Sequence, residues 1–164
     1  MSKAVIWITG ASSGIGEATA KKFSKEGFQV IISARKENEL NRVKSECANP
    51  AEVMILPLDL VEIETMNEKV NQALSHFGKV DILLHNGGIS QRSLIKETGL
   101  DVDRKLMEVN FFGTIALTKA ILPHFIAQKN GQFAVVSSLV GKFGSPFRSS
   151  YAASKHALHG FFDT

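Results

Sequence analysis

The stretch TGASSGIG, residues 9–16, decides the fold because it joins a short apolar run to a segment of helical period. Residues 4–10 have the pattern of a buried strand, and a helix is predicted over residues 15–25. Gly10 permits a tight turn, Gly14 lets a phosphate approach the backbone, and Gly16 lets the new helix pack closely on the strand. The first strand is therefore expected to end in a turn that binds an anion.

Two further features of this turn favour a phosphate site. The amino terminus of the helix offers free N–H groups and the positive end of its dipole, and the hydroxyls of Ser12 and Ser13 add donors. The spacing is GxxxGxG rather than GxGxxG, and a glycine-rich turn that binds nothing is the alternative. The position of the turn, between a first strand and a first helix, favours cofactor binding.

Apolar runs alternate with amphipathic segments along the rest of the chain. Strands are predicted over residues 4–10, 29–35, 53–59, 80–87 and 131–139, and helices over 15–25, 37–47, 63–77, 102–128 and from 150 to the end. Strands that lack polar alternation are typical of a parallel sheet covered on both faces. We expect a doubly wound α/β sheet, a three-layer α/β/α Rossmann fold with strand order 3-2-1-4-5, formed by residues 1–164 as one domain.

Composition excludes several classes of function. The 164 residues are 44% hydrophobic and carry a net charge of +3, with acidic and basic residues mixed along the chain. No charge run suggests nucleic-acid binding, and no stretch approaches the length expected of a membrane span. We expect neither a nucleic-acid nor a membrane partner, a cytoplasmic location, no metal site, and a core position for the single cysteine, Cys47.

Positive charge follows the second predicted strand, where a dinucleotide-binding fold often has a carboxylate for the ribose hydroxyl. Here Arg35 and Lys36 occupy that place, and their charges suit a 2′-phosphate. This favours NADP(H) over NAD(H), with Arg35 as the stronger candidate. A basic, solvent-facing helix start is the alternative.

The third and fourth predicted strands also end in polar residues. Asp59 is placed to accept a hydrogen bond from an adenine amino group, and an ordinary helix cap is the alternative. Asn86 is followed by Gly87 and Gly88, which let the backbone lie against a cofactor. A simple Asn-Gly turn is the competing interpretation.

Tyr151 and Lys155 lie four residues apart and share one face of the last helix. An ammonium beside a phenol favours the phenolate and lowers the pKa of the phenol, which makes an acid/base usable near neutral pH. Ser138, at the end of the fifth predicted strand, is placed to donate to a substrate oxygen. A chance YxxxK match on a helix is the alternative.

Together these residues make the chain similar to the short-chain dehydrogenase/reductase family. The resemblance is carried by TGASSGIG at 9–16, DL at 59–60, HNGG at 85–88, Asn110, Ser138 and YAASK at 151–155, in the order of the family. It implies hydride transfer between NADP(H) and a secondary alcohol or ketone, a small-molecule carbonyl or alcohol substrate, and a homodimer or homotetramer. The stretch PFRSSYAASKHAL resembles a branch that acts on bulky apolar substrates.

The resemblance also implies a role for each residue. Tyr151 would be the general acid/base, Ser138 would orient the substrate oxygen, Lys155 would hold the nicotinamide ribose, and Asn110 would kink its helix and anchor a relay water. The diphosphate would be lined by Gly10, Ser12, Gly14, Ile15 and Gly16, with Asp59, Leu60 and Asn86 near the adenine and its ribose.

Two departures from the family pattern matter. His85–Gly88 stands where the family usually has NNAG, and the chain ends at Thr164, inside the helix that carries Tyr151. Family members continue through further strands, so the C-terminal strands are expected to be absent from this chain, either because it is a fragment or because the remainder lies outside this sequence. A catalytically inactive nucleotide-binding regulatory or scaffold protein is the second functional hypothesis.

Overall fold

The computed structural model describes residues 3–164 and contains one parallel sheet with helices on both faces. The strands are β1 (Val5–Thr9), β2 (Gln29–Ser33), β3 (Val53–Ile55), β4 (Ile82–His85) and β5 (Gln132–Val135). The helices are α1 (Gly14–Lys25), α2 (Glu37–Ser45), α3 (Met66–Phe77), α4 (Leu100–Met107), α5 (Gly113–Ala127) and α6 (Ser149–Phe162). Strands and helices alternate as the sequence predicts.

The sheet has the order β3-β2-β1-β4-β5, which confirms the predicted topology. Adjacent strands are parallel, with Trp7 opposite Ile31 on one side and opposite Leu83 on the other. The order reverses beside β1, so the carboxyl ends of β1 and β4 border a crevice. Each strand is shorter than its predicted range, and most of the difference lies at the carboxyl ends.

Two apolar layers fix the helices to the sheet. Alternate strand residues such as Trp7 and Leu83 pack with α3 and α5, whereas Ile6 and Ile8 pack with α1 and α2. Burying both faces is what strands without polar alternation require. Cys47 is buried in the second layer, as predicted, and burial raises the pKa of its thiol.

The long helical segment differs from the prediction in one respect. Residues 100–127 are helical throughout, but a π-helical turn at Glu108–Phe112 separates α4 from α5. Pro123 lies within α5, near its carboxyl end. The expectation that no stretch approaches membrane-spanning length is wrong, because this 28-residue helix is long and apolar enough. Core helices pass the same test, and Leu117 and Ile121 of this helix are fully buried against the sheet.

The segment after β4 is mostly irregular. A single 3₁₀ turn, Ile95–Glu97, interrupts it before α4 begins at Leu100. The segment follows the carboxyl end of β4, so it lies where a sheet of this topology binds ligands.

Candidate active site

The glycine turn has a geometry that a side chain would disrupt. Gly10 has φ +64°, and a Cβ there would lie 2.7 Å from the Gly87 Cα. A Cβ on Gly16 would lie 2.6 Å from the Asn86 Nδ2. Gly14, with φ +57°, faces open space. The turn is therefore packed closely against the end of β4 on one side and is open on the other, as a phosphate site requires.

Thr9 and Asn86 hold the ends of β1 and β4 together. The Thr9 hydroxyl accepts from the backbone N–H of Asn86 at 3.1 Å and from that of Gly87 at 3.0 Å. The Asn86 amide donates to the carbonyl oxygens of Thr9 at 3.1 Å and Gly10 at 3.0 Å. Asn86 thus shapes the glycine turn through its hydrogen bonds. The sequence analysis foresaw neither this role of Asn86 nor the hydrogen bonds of Thr9.

A cavity of about 680 Å³ opens in front of this turn. Among the predicted cofactor residues, its lining includes Gly10, Ser12, Ser13, Arg35, Asp59, Leu60, Asn86 and Gly87. Gly14, Ile15 and Gly16 belong to the first turn of α1 and are not in that lining. The volume is within the range of known ligand pockets. The structure therefore brings most of the predicted cofactor residues to one place.

The cavity is lined by charges of both signs. Arg35 and Lys36 line it, and so do Glu39 and Lys105, which the sequence analysis did not single out. Arg42 holds Glu39 through an ion pair of 3.1 Å. The Asp59 carboxylate accepts a hydrogen bond from the Val61 backbone N–H at 3.2 Å. Asp59 therefore stabilises the turn after β3 and also lines the cavity.

Arg42 also supports the glycine turn from behind. Its guanidinium donates to the Ser12 carbonyl oxygen at 3.1 Å and to Glu17 at 2.8 Å. The hydrogen bond from Arg42, followed by that from Lys21, lowers the pKa of Glu17 to about 2. Since Glu17 stays ionised near neutral pH, this link between α1 and α2 persists there.

On the other side of the crevice, α6 places Tyr151 and Lys155 on one face. The Lys155 Nζ lies 5.8 Å from the centroid of the Tyr151 ring. It donates to the Val136 carbonyl oxygen at 2.9 Å, just beyond β5. Burial lowers the pKa of Lys155. The predicted pair is therefore adjacent, and its lysine is anchored to the sheet.

Ser138 begins the 3₁₀ turn that follows β5. Its hydroxyl accepts from the Val140 backbone N–H at 3.3 Å. The hydroxyl proton has no acceptor among the described residues, so it is available to a ligand. Ser137, by contrast, is bonded to the His159 ring at 3.0 Å.

Asn110 lies in the π-helical turn, so the predicted interruption of its helix is present. Its amide donates to the Ile89 carbonyl oxygen at 2.9 Å and to the Ser154 hydroxyl at 3.0 Å, and its oxygen accepts from the Ile89 N–H at 2.8 Å. Asn110 therefore joins the segment after β4 to α6. Its role in anchoring a water stays a prediction.

The catalytic candidates and the cavity meet at Gly88. Gly88 lines the cavity, and a Cβ on it would lie 3.0 Å from the Asn110 Oδ1 and 3.9 Å from the Lys155 Nζ. Asn110, Ser138, Tyr151 and Lys155 themselves are not in the cavity lining. The site thus has two halves, the cavity and the polar candidates outside its lining, with Gly88 next to Asn110 and Lys155.

A doubly wound sheet with a glycine turn at its crevice and a Tyr–Lys pair beside it defines a nucleotide-binding protein of the Rossmann class. The sequence matches the family described as short chain dehydrogenase over residues 4–164. The chain therefore belongs to the short-chain dehydrogenase/reductase family.

Curated relatives agree with this assignment. The chain is 47% identical over 164 residues to human dehydrogenase/reductase SDR family member 7, with 97% of this chain and 48% of that protein covered. It is 46% identical over 165 residues to the SDR family protein 7-like of Drosophila melanogaster, with 98% and 51% covered. The chain spans about half the length of the curated relatives it matches.

Solved structures show the same fold. A short-chain dehydrogenase from Streptomyces avermitilis is 32% identical with a TM-score of 0.94, covering 99% of this chain and 59% of that one. A metagenomic short-chain oxidoreductase in complex with NADP is 30% identical with a TM-score of 0.92, covering 99% and 74%. Actinorhodin polyketide ketoreductase with NADPH is 28% identical with a TM-score of 0.92, covering 98% and 64%.

Proposed function

We propose that the protein is an NADP(H)-dependent oxidoreductase that interconverts a secondary alcohol and a ketone, with Tyr151 as general acid/base. The observation that carries the proposal is the position of Lys155. Its ammonium lies 5.8 Å from the Tyr151 ring centroid and close to Gly88 at the wall of the cavity. A cofactor in that cavity and a substrate at Tyr151 would both be within reach of the same cation.

The residues present fit a dinucleotide. Gly14 leaves open space in front of the amino terminus of α1, and Ser13, the residue before the helix, uses its side chain in no capping hydrogen bond. The cations Arg35 and Lys36 line the same cavity, which supports a 2′-phosphate and hence NADP(H) over NAD(H). Similar proteins with bound NADP and NADPH point the same way.

The chain's own residues supply the proton chemistry. In the reduction direction the Tyr151 hydroxyl would donate its proton to the substrate oxygen, and in oxidation it would take that proton back. The Ser138 hydroxyl would donate to the same oxygen as charge develops on it. Lys155, held by the Val136 carbonyl oxygen, would keep a positive charge beside the phenol. The nicotinamide would supply or accept the hydride.

Three further statements belong to this proposal. The substrate is a small carbonyl or alcohol compound, the assembly is a homodimer or homotetramer, and the location is cytoplasmic. Five large apolar residues near the crevice or on the outer helices are exposed in the single chain, which supports an apolar substrate or a subunit contact: Ile95, Leu100, Phe112, Leu139 and Phe143.

The experiment that tests the proposal measures cofactor affinity and turnover in the protein at its native length. We expect NADPH to bind more tightly than NADH, and NADPH oxidation to be observed with a panel of ketones. Binding of NADPH without turnover of any ketone or secondary alcohol would favour the second hypothesis, a nucleotide-binding regulatory or scaffold protein.

A further inference from the structure

Arg148 is a second cation at Tyr151 that the proposed mechanism does not use. It precedes α6 by one residue and is half-buried. Its guanidinium carbon lies 5.6 Å from the Tyr151 ring centroid, and the Lys155 Nζ lies 5.8 Å from the same centroid. Cations within about 6 Å of an aromatic centroid interact with the π system. Tyr151 is therefore flanked by two positive groups.

Hydrogen bonds to the segment after β4 fix the position of the Arg148 guanidinium. Its Nη1 donates to the Ser90 hydroxyl and, at 3.1 Å, to the Gln91 carbonyl oxygen. The backbone continues this contact, because the Ser93 N–H donates to the Phe147 carbonyl oxygen at 3.2 Å. Side-chain and backbone hydrogen bonds thus join the turn before α6 to the segment after β4.

The segment that receives Arg148 is itself ordered by a buried side chain. Gln91 is only 6% exposed, and its amide donates to the Ser93 hydroxyl at 2.8 Å and the Thr98 hydroxyl at 3.3 Å. Those two hydroxyls are also bonded to each other at 2.6 Å. Since the acceptors of Arg148 are held in place, the guanidinium is held over the Tyr151 ring.

The charge of Arg148 is not neutralised by a carboxylate. Among residues 3–164, Arg148 takes part in no ion pair, and neither does Lys155. The carboxylate recorded next to this region, Asp103 of α4, accepts from the Ser150 hydroxyl. The position of the Arg148 guanidinium therefore depends on its hydrogen bonds to the segment after β4.

We propose that Arg148 is a positioning residue for the reaction: it holds the Tyr151 ring against the segment after β4. The inference rests on the proposed role of Tyr151 as acid/base. Because proton transfer requires the Tyr151 hydroxyl within hydrogen-bond reach of the substrate oxygen, removal of Arg148 should free the ring and lower turnover.

Near-ultraviolet circular dichroism tests the position of the ring without relying on turnover. Tyr151 is the only tyrosine of the 164 residues. Each variant at native length is compared with its own Tyr151→Phe counterpart, so that the difference reports this residue alone. In Arg148→Met we expect the tyrosine difference signal to be lost, and in Arg148→Lys, which keeps a cation beside the ring, to be partly retained.

Two controls separate this contact from folding. Arg92→Met removes an arginine from an exposed position of the segment after β4 and should leave the tyrosine signal unchanged. Ser90→Ala keeps Arg148 but removes one of its acceptors, so it should reduce the signal by less than Arg148→Met does. In the same variants, kcat for ketone reduction should fall in the same order, while NADPH affinity stays nearly constant.

The outcomes distinguish the inference from the proposed function. A tyrosine signal in Arg148→Met equal to that of the parent, or a signal reduced equally by Arg92→Met, overturns the role of Arg148 even if the parent is active. A reduced signal in a protein that turns over no ketone or alcohol supports the contact with the ring but overturns the catalytic role given to it.

Discussion

Asn110 and Ile89 exchange two hydrogen bonds, one in each direction, at 2.8 and 2.9 Å. Through the third contact of Asn110, with the buried Ser154, this pair ties the long helix and the segment after β4 to α6. Ser154 is the neighbour of Lys155. The residue next to Lys155 is therefore held by one amide in a π-helical turn.

Asn110→Ala is expected to destabilise the fold by about 2–4 kcal/mol, because it leaves both backbone groups of Ile89 and the Ser154 hydroxyl without their partner. Ser154→Ala removes only one of these contacts and should cost about 1 kcal/mol. Urea unfolding of both variants measures the difference. Equal and small losses would show that the Asn110 amide does not hold these elements together.

Gly14→Ala separates phosphate binding from backbone strain. Gly14 and Gly27 both have a positive φ, +57° and +86°, and a Cβ on either meets nothing within 4 Å. Each substitution should therefore lower the free energy of unfolding by a similar amount, about 1 kcal/mol. Only Gly14 opens α1 beside the cavity, so only Gly14→Ala should also weaken NADPH binding, as measured by calorimetry. Equal affinities in the two variants would remove Gly14 from the phosphate site.

Arg35→Asp tests the preference for a 2′-phosphate. If Arg35 pairs with that group, NADPH affinity should fall by roughly tenfold to a hundredfold, because a charge-assisted hydrogen bond is lost and repulsion is introduced. NADH affinity should change much less. Lys25→Asp, an equal change of charge on an exposed residue at the end of α1, serves as the control. An equal effect of Arg35→Asp on the two cofactors would show that Arg35 does not meet the phosphate.

The buried His85 should make the free energy of unfolding depend on pH. Burial lowers its pKa to about 3, and its Nε2 lies 2.8 Å from the Thr118 hydroxyl. The unfolded chain takes up a proton as pH falls through about 6.5, whereas the folded chain does not until about pH 3. The contribution of His85 to the free energy of unfolding is therefore complete above pH 6.5. It falls by about 1.4 kcal/mol per pH unit as pH drops from about 6.5 towards 3.

His85→Asn should remove that part of the acid sensitivity. Between pH 7 and pH 5, the parent should lose about 2 kcal/mol more in free energy of unfolding than the variant does. His76→Asn, at an exposed position on α3, should retain the parental slope. Urea unfolding at the two pH values measures this, and parallel slopes for the parent and His85→Asn would contradict the prediction.

The fold was predictable because it depends on patterns that are local in the sequence. The stretch from Val5 to Ile8 is apolar at every position, so both faces of this strand must be buried. The glycines after it favour a tight strand-to-helix turn. Strand ends were less predictable. Val136 and Ser138 follow Val135, the last residue of β5. The Val136 carbonyl oxygen accepts from Lys155, and the Ser138 hydroxyl accepts from the Val140 backbone N–H.

The candidate site was predictable only where a residue carries its own signal. Tyr151 and Lys155 were found because their spacing places them on one helix face. Arg148, Thr9 and Arg42 were missed because their partners lie 57, 77 and 30 residues away in the sequence. Such contacts exist only once the sheet has brought its carboxyl ends together.

Tyr151→Phe, tested for NADPH binding and ketone reduction in the protein at native length, examines the central claim most directly. The substitution removes the proton donor and keeps the ring between Arg148 and Lys155, so NADPH affinity should be nearly unchanged and turnover should fall by about 10²–10⁴-fold. Turnover equal to that of the parent would contradict the assignment of Tyr151 as the acid/base.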